Sequence, residues 1–172
     1  MATNLQFIKS ETITSSISTL DIDNVFSDKY DTYAITTSGI CTTSTTANYV
    51  HLRLLDSTGT VISANEYDRA TVTLKAETTF GEDSNTNNSQ VVYFFGITDS
   101  EPESMGSVGY VYNPFDSSSY TFFTYQNSAR VSGVHRGYKG IGVHKSAESC
   151  RGFQLVFVSA VDKGKVSVYG VK

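Results

Sequence analysis

The sequence predicts an all-β protein in which two antiparallel sheets form a sandwich or close into a barrel. Apolar and polar residues alternate with period two along most of the chain, and helical periodicity is nowhere sustained. Ser and Thr together make up about a quarter of the residues, and charged residues only 17%. Thr pairs well across strands and Ser favours turns, whereas strong helix formers are sparse. At 172 residues the chain is predicted to form a single domain, residues 1–172.

The first half of the chain contains five predicted strands. Val50, Leu52 and Leu54 alternate with polar neighbours, which is typical of a strand with one buried face. The segment Asp56–Gly59 predicts a turn, after which Val61 is expected to resume as the second arm of a hairpin. The predicted strands here are Leu5–Lys9, Ile17–Ile22, Tyr33–Thr36, Tyr49–Leu54 and Ala70–Ala76.

The second half contains both strands and predicted irregular segments. Gln90–Phe95 is apolar on both faces and predicts a central strand, whereas Gly81–Ser89 is polar and predicts a loop. Arg130–Ser149, with Gly133, Gly137, Gly140 and Gly142, is expected to be irregular. The remaining predicted strands are Val108–Tyr112, Tyr120–Tyr125, Phe153–Val158 and Lys165–Val171. About ten short strands without helical crossovers exclude a parallel sheet and favour a sandwich or barrel.

The aromatic residues comprise 11 Tyr and 10 Phe, with no Trp. Five Phe on predicted strands are expected in the core: Phe7, Phe94, Phe95, Phe153 and Phe157. Tyr110, Tyr112, Tyr120 and Tyr125 have polar neighbours and reach the surface in one interpretation, where Tyr favours interfaces and stacks on sugars. In the other interpretation they are amphipathic residues at the sandwich edges.

Strong sequence signatures of catalysis are missing. There is no G-x-S-x-G, H-E-x-x-H, G-x-x-x-x-G-K-[ST] or C-x-x-C motif. His51, His135 and His144 each stand alone, and a thiolate pair of Cys150 with either of the latter two lacks an orienting signature. Cys41 and Cys150 are expected to be isolated thiols. The sequence therefore predicts a non-enzymatic protein without a cofactor.

Two acidic stretches are candidates for calcium-binding loops. In the first, Val25 and Phe26 occupy positions where a calcium loop needs a ligand and a glycine. The second resembles an ordinary turn that is rich in Asp and Asn. We assign no metal to either stretch. Their acidic and amide residues are Asp21, Asp23, Asp28 and Asp31, and Glu82, Asp83, Asn85 and Asn87.

Charge is distributed unevenly along the chain. There are 5 basic against 15 acidic residues up to Ala129, and 8 against 2 from Arg130 onward. Either folding intersperses the two parts, or the protein has unlike faces that suit self-association or an acidic protein partner. The overall pI of about 5.3 opposes nucleic-acid binding. The candidate interaction surface consists of Arg130, Arg136, Tyr138, Lys139, Lys145 and Arg151.

Targeting signals are also missing from the sequence. Met1–Gln6 has neither the basic nor the apolar region of a signal peptide, and no apolar run approaches the ~18 residues that span a bilayer. We therefore expect a soluble protein made in the cytoplasm, with no membrane insertion.

Four segments carry a resemblance to a known family: Val25–Ile35, Leu52–Gly59, Gly109–Pro114 and Gly164–Val171. In their order they resemble jelly-roll-like β-sandwich structural proteins in the virions of tailed phages, especially marine phages. The resemblance implies a non-enzymatic, often homotrimeric component of the virion surface. Its implied partners are the major capsid protein or another virion protein. It carries over no functional residue.

Three functions remain open from the sequence. The first is a protein that decorates the capsid or forms a surface appendage, and the second is a receptor- or carbohydrate-binding module of a tail fibre that binds a surface glycan. The third is a glycan hydrolase, which would need a carboxylate pair in a cleft. Fold similarity alone does not choose among them.

Overall fold

The structure is a computed structural model that describes residues 4–42, 48–77, 80–97, 105–131 and 134–172. These residues form twelve β-strands, and none of them forms a helix long and apolar enough to cross a membrane. The strands are β1 (Leu5–Ile13), β2 (Ile17–Ile22), β3 (Thr32–Cys41), β4 (Asn48–Asp56), β5 (Tyr67–Lys75), β6 (Gly81–Asn88), β7 (Val91–Ile97), β8 (Met105–Tyr112), β9 (Thr121–Val131), β10 (Val134–His144), β11 (Cys150–Val161) and β12 (Lys163–Val171).

The strands form two antiparallel sheets, which confirms the predicted all-β sandwich. The eight-stranded sheet has the order β1-β12-β3-β8-β9-β10-β5-β6, and the four-stranded sheet the order β2-β11-β4-β7. Without β5, β6, β9 and β10, eight strands remain in two sets of four, β1-β12-β3-β8 and β2-β11-β4-β7. Successive strands then alternate between the sheets, except that β4 and β7 pair within the four-stranded sheet, and the last strand pairs with the first, which is the jelly-roll arrangement.

The core lies between the two sheets and is built from one face of each. Val50, Leu52 and Leu54 of β4 are buried, as the alternation predicts, and Phe153, Leu155 and Phe157 of β11 lie beside them. From the larger sheet, residues such as Tyr33, Ile35 and Val168 complete the core. Burying a side chain of this size contributes roughly 1.5–3 kcal/mol, so the core is the main source of stability.

The four strands added to the jelly roll, β9, β10, β5 and β6, are called the extension here. Its inner face packs on β7, where Phe94 contacts Phe123 and Tyr125 of β9 with ring centroids 6.3 and 4.9 Å apart. Tyr49 projects from β4 on the side opposite Val50, yet its ring lies 5.8 Å from that of Tyr138 on β10. The extension therefore curls around the edge strand β7 rather than continuing flat.

The prediction of an irregular segment over Arg130–Ser149 was wrong, because Val134–His144 is the long strand β10. Its glycines mark places where neighbouring groups approach the backbone closely. A Cβ at Gly140 would overlap the Tyr125 ring, and one at Gly137 would lie 2.9 Å from the carbonyl oxygen of Asn127. Gly133 lies outside the described residues.

The prediction of a loop over Gly81–Ser89 was also wrong, because Gly81–Asn88 is the edge strand β6. The strand pairs with β5 on one side only and is exposed along most of its length. An edge strand that packs on nothing needs no apolar face, and charged side chains protect such an edge from unwanted pairing. Hydrophobic alternation, the signal on which the prediction relied, is therefore absent.

Two smaller expectations also need correction. The predicted hairpin beyond the Asp56–Gly59 turn is reduced to one isolated bridge between Leu55 and Val61. Phe7, expected in the core, is 58% exposed on the edge strand β1, where it packs against Tyr169. The other four Phe predicted to lie in the core are buried.

Replacing Gly140 by Ala is expected to destabilise the fold, because the Tyr125 ring of β9 lies across this glycine of β10. Beyond the glycine, the Tyr125 hydroxyl forms a 2.8 Å hydrogen bond with the hydroxyl of Thr71 on β5. The ring also packs on Phe94, so it cannot move away without losing both contacts. We expect Gly140→Ala to lower the free energy of unfolding by about 1–3 kcal/mol in urea denaturation.

Gly106→Ala is the matched control, since the nearest atom to a Cβ there is 3.9 Å away. Its stability should stay within about 1 kcal/mol of the parent protein. Equal stability of the two variants would show that the packing of the Tyr125 ring does not require a glycine at Gly140.

Candidate functional site

The outer face of the eight-stranded sheet, which points away from the four-stranded sheet, carries a continuous apolar surface. Cross-strand partners share a face, and the register joins Tyr110, Thr124, Ile141 and Ala70 in one row across β8, β9, β10 and β5. Neighbouring positions on the same face are also apolar. We define the outer patch as Val72, Leu74, Tyr110, Phe122 and Ile141, each between 36% and 59% exposed.

An open groove of about 950 Å³ is lined by four residues of the outer patch, Val72, Leu74, Tyr110 and Ile141. Its floor crosses β8, β9, β10 and β5, and it ends at the edge strand β6. Polar groups that line it include Gln126, Lys139 and Glu82. A large apolar concavity with a few polar groups is typical of a binding surface, because scattered single residues are the norm elsewhere.

The four tyrosines singled out in the sequence divide between surface and core. Tyr110 and Tyr112 stack with ring centroids 6.4 Å apart and an angle of 20° between their planes, and the Tyr112 hydroxyl bonds Thr124 at 2.9 Å. Tyr120 is also exposed, whereas Tyr125 is buried. The predicted surface position therefore holds for Tyr110 and Tyr120 but not for Tyr125.

The six residues of the sequence-based interaction surface lie on different faces. Lys139 lies on the outer face beside the groove, whereas Tyr138 projects from the inner face and is buried against Tyr49. Arg130 is exposed on β9, and Arg151 belongs to the four-stranded sheet. Of the six, only Lys139 borders the groove.

The basic C-terminal part pairs with the acidic part inside the chain. Arg151 Nη2 lies 2.6 Å from Asp23 Oδ2, Lys145 Nζ lies 2.8 Å from Asp68 Oδ1, and Arg136 Nη2 lies 3.8 Å from Glu77 Oε1. The hydrogen bonds from Arg151 and Lys145 lower the pKa of Asp23 and of Asp68. Folding therefore intersperses the two charged parts, which was one of the two interpretations of the sequence.

Two buried polar side chains, Arg69 and His51, lie where the extension meets β4. Arg69 is buried and its Nη2 lies 2.6 Å from Asp83 Oδ2 on β6. His51 on β4 is also buried, and burial, with the charges of Arg53 and Arg69 nearby, lowers the pKa of His51 to about 4. The imidazole is therefore neutral at neutral pH, so it adds no third positive charge to those of Arg53 and Arg69.

A group of metal-ligating side chains lies at the end of β10. His144 is fully buried, and its Nε2 lies 3.2 Å from Glu66 Oε2 and 3.8 Å from Glu148 Oε1. The sequence does not reveal this group, because Glu66 is far from His144 along the chain and only the pairing of β5 with β10 brings them together.

The two cysteines are free and buried, as predicted. Burial raises the pKa of the Cys150 thiol to about 12, and the nearby carboxylates of Glu148 and Asp56 add to the shift. A thiolate nucleophile at Cys150 is therefore strongly disfavoured at neutral pH.

Four of the residues considered as calcium ligands contact other side chains in the structure. Asp23 binds Arg151, and Asp21 accepts a 2.8 Å hydrogen bond from Gln154. Asp83 binds Arg69, and Asn87 accepts a hydrogen bond from Lys145. Glu82 lies on the outer face at the margin of the groove.

Comparison with known proteins identifies no family. No family model matches the chain, and no curated protein matches it significantly. Among solved structures, a family 7 alginate lyase in complex with substrate is 9% identical with a TM-score of 0.25, and a fructofuranosidase from Schwanniomyces occidentalis is 5% identical with a TM-score of 0.21. The alignments cover 83% and 99% of this chain but only 62% and 35% of those chains.

A third structure, the CBM2 module of the evolved Dit protein of Lactobacillus casei BL23 phage J-1, is 8% identical with a TM-score of 0.19. The alignment covers 89% of this chain and 68% of that one. Likenesses at this level carry no argument about function.

Acidification is expected to destabilise the protein between pH 6.5 and about 4, because His51 takes up a proton in the unfolded chain well before it does in the folded one. The stability contributed by neutral His51 is present above pH 6.5 and is lost as the pH falls towards 4. Its contribution amounts to roughly 3 kcal/mol. Urea denaturation across this pH range should show the loss.

The variant His51→Gln provides the comparison. Burial also lowers the pKa of His144, so both proteins retain part of the pH dependence, and the difference between them isolates His51. Identical slopes for the two proteins would mean that His51 does not titrate as its burial implies.

Proposed function

We propose that this chain is a non-enzymatic structural protein of a tailed-phage particle, which it decorates or extends by binding a neighbouring virion protein through the outer patch. The exposed apolar outer patch is the observation that carries the proposal. The four segments that resemble virion proteins support a role in a phage. The jelly-roll strand order supports it too, because jelly rolls occur in viral capsid proteins. Because the same fold also occurs in lectins, the surface rather than the fold carries the assignment.

The outer patch has the composition of an interface centre. Aromatic and aliphatic side chains occupy its middle, where Tyr110, Phe122 and Ile141 lie on three adjacent strands. Gln126 and Lys139 lie in the next row of the same face, between Val108 and Val72, and Glu82 lies beyond them on the edge strand β6. Protein interfaces are rich in aromatic and aliphatic side chains and contain a few polar groups among them.

A protein partner suits the patch better than a small ligand does. Leu74, Val72 and Ile141 offer aliphatic surface, which gains most when it is covered by another apolar surface. The basic residues Lys145 and Arg151 are already engaged in ion pairs inside the chain. Attachment is therefore expected to depend on apolar contact more than on charge, and many weak contacts on a repeating lattice can hold each copy in place.

We also propose that the particle-bound form is a homotrimer. A closed ring of three copies presents three outer patches to the particle at once, so the binding of one favours the binding of the others. Light scattering of the purified protein and its copy number on particles measure this stoichiometry. A strict monomer in both would overturn the trimer while leaving attachment through the patch intact.

Polar or charged substitutions in the outer patch are expected to abolish attachment without unfolding the protein. Ile141→Lys and Phe122→Ser change half-exposed side chains that contribute little to the core. Particles assembled with either variant should carry at least about tenfold fewer copies than those with the parent protein. Copy number is measured on gradient-purified particles, and circular dichroism verifies the fold.

The matched control is Val158→Lys, which places the same charge at an exposed apolar position of β11 in the four-stranded sheet. This variant should be incorporated normally. Normal incorporation of Ile141→Lys and Phe122→Ser would exclude the outer patch as the attachment surface. Absence of the parent protein from particles would overturn the virion role.

Glycan binding by a tail-fibre module is the second candidate, and the stacked pair of Tyr110 and Tyr112 beside the groove favours it. Sugar rings stack on exposed aromatic faces, and Thr124, Gln126 and Lys139 offer hydrogen bonds nearby. A glycan array distinguishes the two functions, because a lectin shows saturable binding that Tyr110→Ala abolishes.

The control for that array is Tyr120→Ala, an exposed tyrosine that does not line the groove. Saturable binding that is lost in Tyr110→Ala and retained in Tyr120→Ala establishes the second candidate. A glycan array with no binding supports the structural role.

A further inference from the structure

We propose that Glu66, His144 and Glu148 form a binding site for one divalent transition-metal ion of the zinc type. The proposal is independent of the outer patch, because the site lies at the inner side of β10 where the strand ends. Each residue contributes one ligand atom, and the three atoms all lie within 4.8 Å of one another. No ligand comes from a segment outside the described residues.

The distances fit a shared ion. Zinc bonds nitrogen and oxygen ligands at about 2.0–2.2 Å, so the ligand atoms of a tetrahedral site lie roughly 3.4 Å apart. His144 Nε2 lies 3.2 Å from Glu66 Oε2 and 3.8 Å from Glu148 Oε1. Small rotations of the two Glu side chains, which are 40% and 34% exposed, complete the geometry without movement of the backbone.

The fully buried His144 side chain is aimed at the two carboxylates. Its Nδ1 has no hydrogen-bond partner among the described residues, so the ring's polar contacts are all on the Nε2 side. The ring is held by packing instead, with its centroid 4.7 Å from that of Tyr67, its cross-strand partner. This fixed orientation sets up Nε2 as a ligand before any ion arrives.

The charges also favour a cation. Two carboxylates face one imidazole, and neither has an ion pair with a Lys or Arg in the described part of the chain. The nearest basic residue in sequence, Lys145, is directed to Asp68 and Asn87.

The ligand set selects the class of ion. An imidazole with two carboxylates suits zinc and similar transition metals, whereas calcium and magnesium prefer oxygen ligands alone. Three protein ligands leave one position open, and the exposed carboxylates give an ion access from solvent. When bound, the ion would join the start of β5, the end of β10 and the loop that leads to β11.

Zinc titration of the full-length, chelator-treated protein tests the proposal. Calorimetry with zinc chloride should show one equivalent bound, and cobalt should give the visible absorption of a tetrahedral site. Glu66→Gln and Glu148→Gln should each weaken zinc binding at least about tenfold. These positions are partly exposed, so the variants should fold even where a change of the buried His144 does not.

Two control variants complete the design. Glu82→Gln changes an exposed carboxylate on the outer face, and His135→Asn changes the exposed histidine that bonds Ser128. Both should bind zinc like the parent protein. Zinc should also raise the melting temperature of the parent protein and the controls but not of Glu66→Gln.

Three results would overturn the site. The first is no zinc binding by the parent protein, which would leave the cluster as an ion pair only. The second is zinc binding that survives in Glu66→Gln and Glu148→Gln, and the third is binding that is lost in His135→Asn. None of these results bears on particle attachment, so the two proposals fail separately.

Discussion

The packing of β7, the edge strand of the four-stranded sheet, against the eight-stranded sheet is the contact on which the rest of the structure depends. Phe94 projects from β7 onto the inner face of the eight-stranded sheet and touches Phe123 and Tyr125. A Cβ at Gly109 on β8 would overlap the same ring. Because interiors are packed as densely as crystals, this ring determines which residues the neighbouring strands can carry.

The extension follows from that contact. Once β9 is held over Phe94, β10 and β5 pair beyond it, and Tyr138 reaches Tyr49 on the far side of β7. The extension thereby covers an edge of the four-stranded sheet that would otherwise be open to pairing with another chain. It also continues the outer face beyond β8 by four strands, and the groove lies on this part of the face.

The two proposed sites use opposite sides of the extension. The outer patch lies on the side away from the core, where Ile141 and Val72 project into solvent. The Glu66, His144 and Glu148 cluster lies on the inner side, where the strand ends and the core gives way to solvent. Both proposed sites depend on the pairing of β5 with β10, so both depend on the same insertion in the jelly roll.

The sequence by itself determined the all-β class and most strands, because a half-buried strand imposes a period of two, which is visible in β4, β5 and β12. One of its two interpretations also placed Tyr110 at the surface, and it predicted that the cysteines are isolated. Only the tertiary structure decided that β6 and the glycine-rich β10 are strands. Edge position removes the apolar signal from β6, and a ring from a neighbouring strand dictates Gly140 in β10.

The sites belong almost wholly to the tertiary structure. Val72 and Ile141 meet only through strand pairing, and Glu66 meets His144 the same way. The six residues chosen from the charge pattern were scattered, because charge along the chain does not reveal which sheet or face a residue occupies. Alternation specifies that side chains take opposite faces, but the register between distant strands specifies their neighbours, and that register is set by packing against the other sheet.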